Sequence, residues 1–323
     1  MVDSDHRSTG PLRIVFFGTP AFAVPSLLQL IASRHIVAGI VTQPDRPRGR
    51  GQRVTDAPVK VQARAHGLPI LQPARLTDGE VAATLTGWGP DLGVVVAYGR
   101  LIPRNLLTVP RLGMINVHAS LLPRYRGAAP VQRAVIDGAA QTGVTIMRVI
   151  EALDAGGTFA AVTRPIDANE TSDVVEQDLA TLGASLLLSV IEDIVGGAAV
   201  ERPQDDRLST YAPRLTKAEG LIDWTLPATD IHNRVRGLHP WPHAYTYADD
   251  QRVIVLRTSV EEPGTPEPPG TCLEAPSDQI LVATGHNGRL AITRLQLEGG
   301  RAMTAREFLA SRPAMAGIRF TGR

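Results

Sequence analysis

One cysteine, Cys272, stands in the 323 residues. It excludes an internal disulfide and any zinc site built from several cysteines. Lysine is almost as scarce: only Lys60 and Lys217 accompany the arginines in a total of 33 basic residues. Such an excess is read as coding bias and does not by itself point to nucleic acid. No unbroken run of 18 apolar residues occurs, so no membrane span is expected. The polar first eleven residues lack the charged-then-apolar order of a secretory signal and read as an extension. These absences point to a cytoplasmic protein with no membrane partner. The net charge of +1 excludes a polyelectrolyte but leaves room for a local basic face. The G-x-G-x-x-G fingerprint and the Walker lysine motif are both missing, so neither a dinucleotide nor a P-loop nucleotide site is supported.

What is present is hydrophobic patterning for a folded chain of about two domains, with 43% apolar and 20% charged residues. Apolar β-rich runs at 12–17 (LRIVFF), 36–41 and 92–97 read as buried strands. Further strands are expected at 68–71, 114–117 and 145–150. Helical spacing recurs at 22–32, 58–66, 76–85, 131–136 and 171–195. This alternation predicts an α/β fold, a Rossmann-like, mostly parallel sheet covered on both faces. The charged, Gly- and Pro-containing stretch after the last helix predicts a linker over 196–211. Beyond it a helix at 228–236 and short β-rich runs at 253–258, 279–283 and 289–297 suggest a smaller β-barrel. The expected domains are thus 12–195 and 212–323.

Three segments carry candidate chemistry. In 113–130, Asn116 and His118 are two apart on a strand, so they share one face at its carboxyl end, where open α/β sheets bind ligands. The bland alternative is that both merely tie down a loop. In 143–158, Asp154 precedes Gly156 and Gly157. It is either a turn former or a carboxylate that reaches His118, orienting the imidazole and favouring its charged form. An Asn, His and Asp together could move protons and stabilise an oxyanion. None is a good nucleophile, so direct transfer between substrates fits better than a covalent intermediate. In 41–60, Arg46, Arg48, Arg50, Arg53 and Lys60 stand against Asp45 and Asp56 in a long Gly- and Pro-rich loop. That loop is either a solvated surface or a grip on a phosphate backbone. His232, His239 and His243 favour structural roles over metal binding, and Trp224 and Trp241 favour the core.

Taken together, FFGTPAFAVPSL (16–27), TQPDRPRGRG (42–51), VVVAYGRLIP (94–103), INVHASLLPRYRGAAPVQ (115–132), QTGVTIM (141–147), LDAGG (153–157) and HPWPHAY (239–245) resemble the methionyl-tRNA branch of the folate-dependent formyltransferase family over nearly the whole chain. The resemblance implies catalytic roles for Asn116, His118 and Asp154. It implies folate contacts at Ser120, Leu121, Leu122 and Pro123, and tRNA contacts at Arg46, Arg48, Arg50 and Arg53. It further implies 10-formyltetrahydrofolate as co-substrate, initiator methionyl-tRNA as partner, an OB-like tRNA-binding second domain and no metal. The expected reaction is attack of the methionine amine on the formyl carbonyl, the oxyanion being held by Asn116 and protonated His118. One position departs from the family: Gly157 stands where an acidic residue or proline is common, which predicts a looser Asp154 turn. Between 208 and 323 there are 13 basic and 12 acidic residues, so RNA binding there must use a localised face. The competing readings are transfer to a small amine, hydrolysis, or an RNA-binding module without catalysis. Glycinamide ribonucleotide transformylase shares the Asn-His-Asp set but resembles only the first domain. The sugar-nucleotide formyltransferases lack a match to 42–51.

Overall fold

The computed structural model describes residues 10–48, 53–248, 250–311 and 315–322. In chain order the strands and helices up to residue 212 are β1 (Arg13–Gly18), α1 (Val24–Ala32), β2 (Ile36–Val41), β3 (Arg46–Arg48), β4 (Arg53–Thr55), α2 (Pro58–Ala65), β5 (Ile70–Leu71), α3 (Gly79–Trp88), β6 (Leu92–Val96), α4 (Arg104–Leu107), β7 (Met114–His118), β8 (Arg126–Gly127), α5 (Pro130–Ile136), β9 (Gln141–Arg148), β10 (Thr158–Pro165), α6 (Ser172–Gly196) and β11 (Tyr211–Ala212). After these come α7 (Ala228–Gly237), β12 (Ala244–Ala248), β13 (Gln251–Glu261), β14 (Cys272–Leu273), β15 (Ile280–Ala283), β16 (Arg289–Leu297), β17 (Ala302–Thr304) and α8 (Ala305–Ser311).

Two compact units result. Among the described residues, the first comprises those within 10–130, 142–164 and 176–212; the second comprises those within 131–141, 165–175 and 213–322. Residues 196–211, expected as a linker, are not bare connector: Asp206–Leu208 makes a 3-10 turn, and β11 pairs with β8 in parallel.

The first unit is built on a seven-stranded sheet in the order β10-β9-β7-β6-β1-β2-β5. The pairs β2–β5, β1–β2, β1–β6 and β6–β7 are parallel, and β7–β9 is antiparallel. β1, β2 and β6 are buried along almost their whole length, which is why each reads as an unbroken apolar run. Pro25 and Pro58 sit in the first turns of α1 and α2, where a missing N–H costs nothing. α3 ends at Gly89 in the left-handed conformation, φ +59°, which glycine adopts without penalty. The strand order reverses between β1 and β6. The carboxyl ends of β1, β6 and β7 therefore share one edge beside a topological switch point.

α6 is long and apolar enough, by length and composition alone, to cross a bilayer, which a search for an unbroken apolar run passes over. Its apolar side is core: Val175, Leu179, Leu187, Val190 and Ile191 are buried. At Gly183 a Cβ would lie 2.8 Å from Val117 and 3.2 Å from Val144, so the helix lies close against β7 and β9.

The second unit is a mainly antiparallel sheet, β12-β13-β16-β15-β14, with β17 on β16. The chain's end closes it. Thr321 bridges to Tyr247 at one edge and Arg319 to Thr271 at the other, so both edge strands find partners in the same segment. The result is the expected barrel-like sheet. Trp224 is buried, stacks on Phe320 with centroids 5.7 Å apart and donates to Thr246 Oγ1. Trp241, expected in the core, is instead 50% exposed, because it lies in the turn between α7 and β12. His232 is structural: its ring bonds Thr258 Oγ1 at 2.9 Å and the Ala168 carbonyl at 2.8 Å.

Candidate active site

β7 delivers Asn116 and His118 to its carboxyl end on one face, as the two-residue spacing demands. Asn116 is half-buried, and its carboxamide makes no hydrogen bond to the protein among the described residues. His118 is buried. Its Nε2 lies 2.9 Å from the carbonyl oxygen of Tyr125. A carbonyl only accepts, so Nε2 carries a proton and donates it there. Nδ1 is left facing Asp154 Oδ2 at 3.6 Å. That distance is too long for a hydrogen bond, so the carboxylate lies beside the ring nitrogen without bonding it. The carboxylate was expected to orient the imidazole. The orientation comes instead from the Tyr125 carbonyl, and Asp154 supplies charge.

Asp154 belongs to the loop 149–157 between β9 and β10. The loop leaves the sheet where the Val149 N–H donates to the Met114 carbonyl, then returns to place Asp154 beside His118. The Gly127 N–H donates to Asp154 Oδ2 at 2.8 Å. Asp154 has φ +48° and Tyr125 φ +60°. A positive φ is tolerable for aspartate and costly for a bulky tyrosine. These two left-handed residues are the ones that face the two nitrogens of His118, and a costly conformation such as that of Tyr125 collects at functional sites. Gly157 does not leave the turn loose. The Glu201 side chain lies over its α-carbon, and Gln204 Nε2 donates to the carbonyls of Asp154 and Gly156.

The segment 120–123 forms a fixed loop next to these groups. Ser120 is fully buried, and its hydroxyl donates to the Arg124 carbonyl at 2.7 Å. Its own carbonyl accepts from Thr145 Oγ1 at 2.7 Å, and Thr145 Oγ1 accepts from the Leu122 N–H. The Leu122–Pro123 bond is cis. Ser120 thus shapes the loop with its side chain, while Leu121, Leu122 and Pro123 remain half-buried.

The arginine-rich stretch is only partly a loop. β3 and β4 pair antiparallel, with Arg46 opposite Thr55 and Arg48 opposite Arg53. Proline, glycine and arginine hide such a ribbon from pattern reading. Arg50 lies outside the described residues. Lys60 is not available to a phosphate. It is buried and pairs with Asp45 and Asp56, which hold its ammonium above the ordinary lysine value. In the second unit, Arg257 is registered against Arg294 across β13 and β16, at an irregularity where the register shifts on both sides of Arg257. Sequence reasoning missed this pair because neither charge count nor motif reveals strand register. Cys272 is buried, and its thiol is pushed up to about 12, so it is a packing residue.

The chain is similar to known proteins along nearly its whole length. The Formyl transferase family profile matches residues 12–191, and that of the Formyl transferase, C-terminal domain matches 214–313. The methionyl-tRNA formyltransferase of Pelotomaculum thermopropionicum is 45% identical, over 95% of this chain and 98% of that protein. The methionyl-tRNA formyltransferase of Pseudomonas syringae pv. tomato is also 45% identical, over 94% of this chain and 96% of its own. Among solved structures, an N-formyltransferase from Helicobacter canadensis in complex with folinic acid and dTDP-3-aminofucose shares the fold. Its TM-score is 0.64 at 14% identity, covering 87% of this chain and 98% of that one. HypX from Aquifex aeolicus in complex with tetrahydrofolic acid gives a TM-score of 0.63 at 16% identity, covering 95% of this chain and 48% of that one.

Proposed function

The chain belongs to the Formyl transferase family, and on that premise we propose that it moves the formyl group of 10-formyltetrahydrofolate onto the amino group of methionine carried by initiator tRNA. The observation that carries the chemistry is the buried His118, pinned through Nε2 and turning Nδ1 toward Asp154, with Asn116 on the same strand face. The acceptor is argued from the relatives: methionyl-tRNA formyltransferases about 45% identical align through both units, including the barrel.

The reaction follows from the groups available. The neutral amine attacks the formyl carbon. The Asn116 amide N–H and an Nδ1–H of His118 donate to the oxygen as it takes up negative charge, each worth about 3 kcal/mol of barrier. Nε2 is spent on Tyr125, so His118 reaches the substrate through Nδ1. The Asp154 carboxylate stabilises the charged ring and receives the proton that the amine nitrogen loses, directly or through water. As the oxyanion collapses, the bond from formyl carbon to the folate nitrogen breaks, the proton taken up by Asp154 passes to that nitrogen, directly or through water, and tetrahydrofolate leaves. No covalent link to the protein is needed.

The half-buried 121–123 loop is assigned to the folate, with Ser120 holding its shape. Arg46, Arg48, Arg50 and Arg53 are assigned to the tRNA backbone. This reading places the protein in the cytoplasm, in translation initiation. Incubation with 10-formyltetrahydrofolate and charged initiator tRNA should yield formylmethionine on the tRNA. Folate consumption with no formylated tRNA would discard the acceptor and favour a small amine or water.

A further inference from the structure

Gln204 lies in the stretch between α6 and β11 that composition alone reads as connector. Its carboxamide uses every hydrogen-bonding position it has. Nε2 donates to the carbonyl of Asp154 at 2.9 Å and to that of Gly156 at 2.7 Å. Oε1 accepts from Arg126 Nε at 3.1 Å and Nη2 at 2.8 Å. Two N–H groups and two lone pairs are thereby all satisfied. The Arg126 side chain is only 14% exposed and also reaches Asp206 Oδ1 at 2.7 Å, so the acceptor end of Gln204 is tied to a fixed group.

The position of Arg126 in the chain gives this link its meaning. The residue before it, Tyr125, receives the His118 Nε2–H on its carbonyl. The residue after it, Gly127, donates its N–H to Asp154 Oδ2. Gln204 therefore joins the two segments that hold His118 and Asp154. One segment is the left-handed Asp154 turn, gripped by its carbonyls, and the other is the Tyr125–Gly127 stretch, gripped through Arg126. A turn with a non-glycine residue at φ +48° persists only if its surroundings hold it there.

We propose that Gln204 is a positioning residue for formyl transfer, setting the separation of the Asp154 carboxylate from His118 by fastening the Asp154 turn to Arg126. The proposal rests on the formyl-transfer reading of the site. It acts through Asp154, so its signature is in turnover and in coupling to that residue.

The test measures wild type, Gln204→Ala and Gln204→Glu in single-turnover formylation at saturating folate and initiator methionyl-tRNA, with steady-state KM and thermal midpoints alongside. The Glu variant keeps the size and still accepts from Arg126, but turns a carboxylate oxygen onto two carbonyls. Both variants should lose about 10- to 100-fold in rate, the scale of an ångström-sized misplacement. KM for either substrate should move less than about threefold, because substrate contacts survive. On an Asp154→Asn background the same changes should have little further effect, since the group being placed is already gone. An equal factor on both backgrounds, or rates within about twofold of wild type in active protein, would overturn the proposal. If Gln204→Ala does not fold, Arg126→Lys cuts the link from its other end, and an unchanged rate there overturns it equally. A wild-type protein with no formylation would overturn the functional reading along with this inference, whereas active wild type with equally active variants would overturn this inference alone.

Discussion

His118 Nδ1 faces Asp154 Oδ2 at 3.6 Å, while the other ring nitrogen is held at 2.9 Å by a backbone carbonyl. The ring is thus oriented by the main chain and biased by a charge. One nitrogen is committed to structure and the other is left for chemistry. This division of labour sets what each substitution should do.

Replacing His118 with Ala, or Asn116 with Ala, should lower turnover by about 10²- to 10³-fold, the loss typical of one donor to an oxyanion. Folate binding, read by fluorescence titration, should change little, because the 121–123 loop is held by Ser120 and Thr145. Near-full turnover in His118→Ala would remove the imidazole from the reaction.

Thr145→Val should affect folate more than chemistry. Thr145 is buried, and its hydroxyl bonds both the Ser120 carbonyl and the Leu122 N–H. The isosteric valine leaves both backbone groups unpaired, a cost of about 1–3 kcal/mol in urea unfolding. KM for the folate should rise more than kcat falls. Wild-type stability and KM in this variant would show that the loop is shaped elsewhere.

The Arg46–Arg53 assignment is tested by salt. Arg48→Ala with Arg50→Ala should weaken tRNA binding and flatten the slope of log affinity against log salt by about 2, one for each phosphate no longer neutralised. Unchanged affinity and slope would make the stretch a solvated surface.

Stability should fall as the solution is acidified from neutrality. His232, His239 and His243 all lie below the ordinary imidazole value of 6.5, with burial the largest cause in each. Below that value the unfolded chain takes up protons that the folded chain resists. The contribution is therefore complete above about pH 6.5 and is lost as pH drops toward the folded values. Carboxylates held low, such as Glu219 beside Arg133, contribute above their ordinary 4.5 and lose that contribution only further down. Urea unfolding from pH 7.5 to 5.5 should show the histidine phase separately, and His232→Gln should reduce it. Identical pH slopes for the two proteins would contradict this origin.

Much of the frame is legible in the sequence because its central strands are buried on both faces. β1, β2 and β6 are near-continuous apolar runs, and the Asn116-x-His118 spacing fixes a shared face without any structure. β10 is not legible: as an edge strand it is half-exposed along its length and carries no such run. β12 is obscured by the prolines just before it, and the β3–β4 ribbon by its Pro-Arg-Gly composition. The supports of the site are hidden for a different reason. Tyr125 acts through a carbonyl, which every residue possesses, and Gln204 meets Arg126 from 78 residues away. Neither leaves a trace in local composition, and both depend on how the chain returns on itself.

The most direct measurement is single-turnover formylation by Asp154→Asn beside wild type, with folate and initiator methionyl-tRNA both saturating. Asparagine keeps the shape and can still accept from Gly127, but removes the charge facing Nδ1 and the site for the amine's proton. The account predicts a rate lower by about 10²-fold or more, with both substrates still bound. A rate within a few-fold of wild type would contradict it, because the carboxylate beside His118 would then have no part in the transfer.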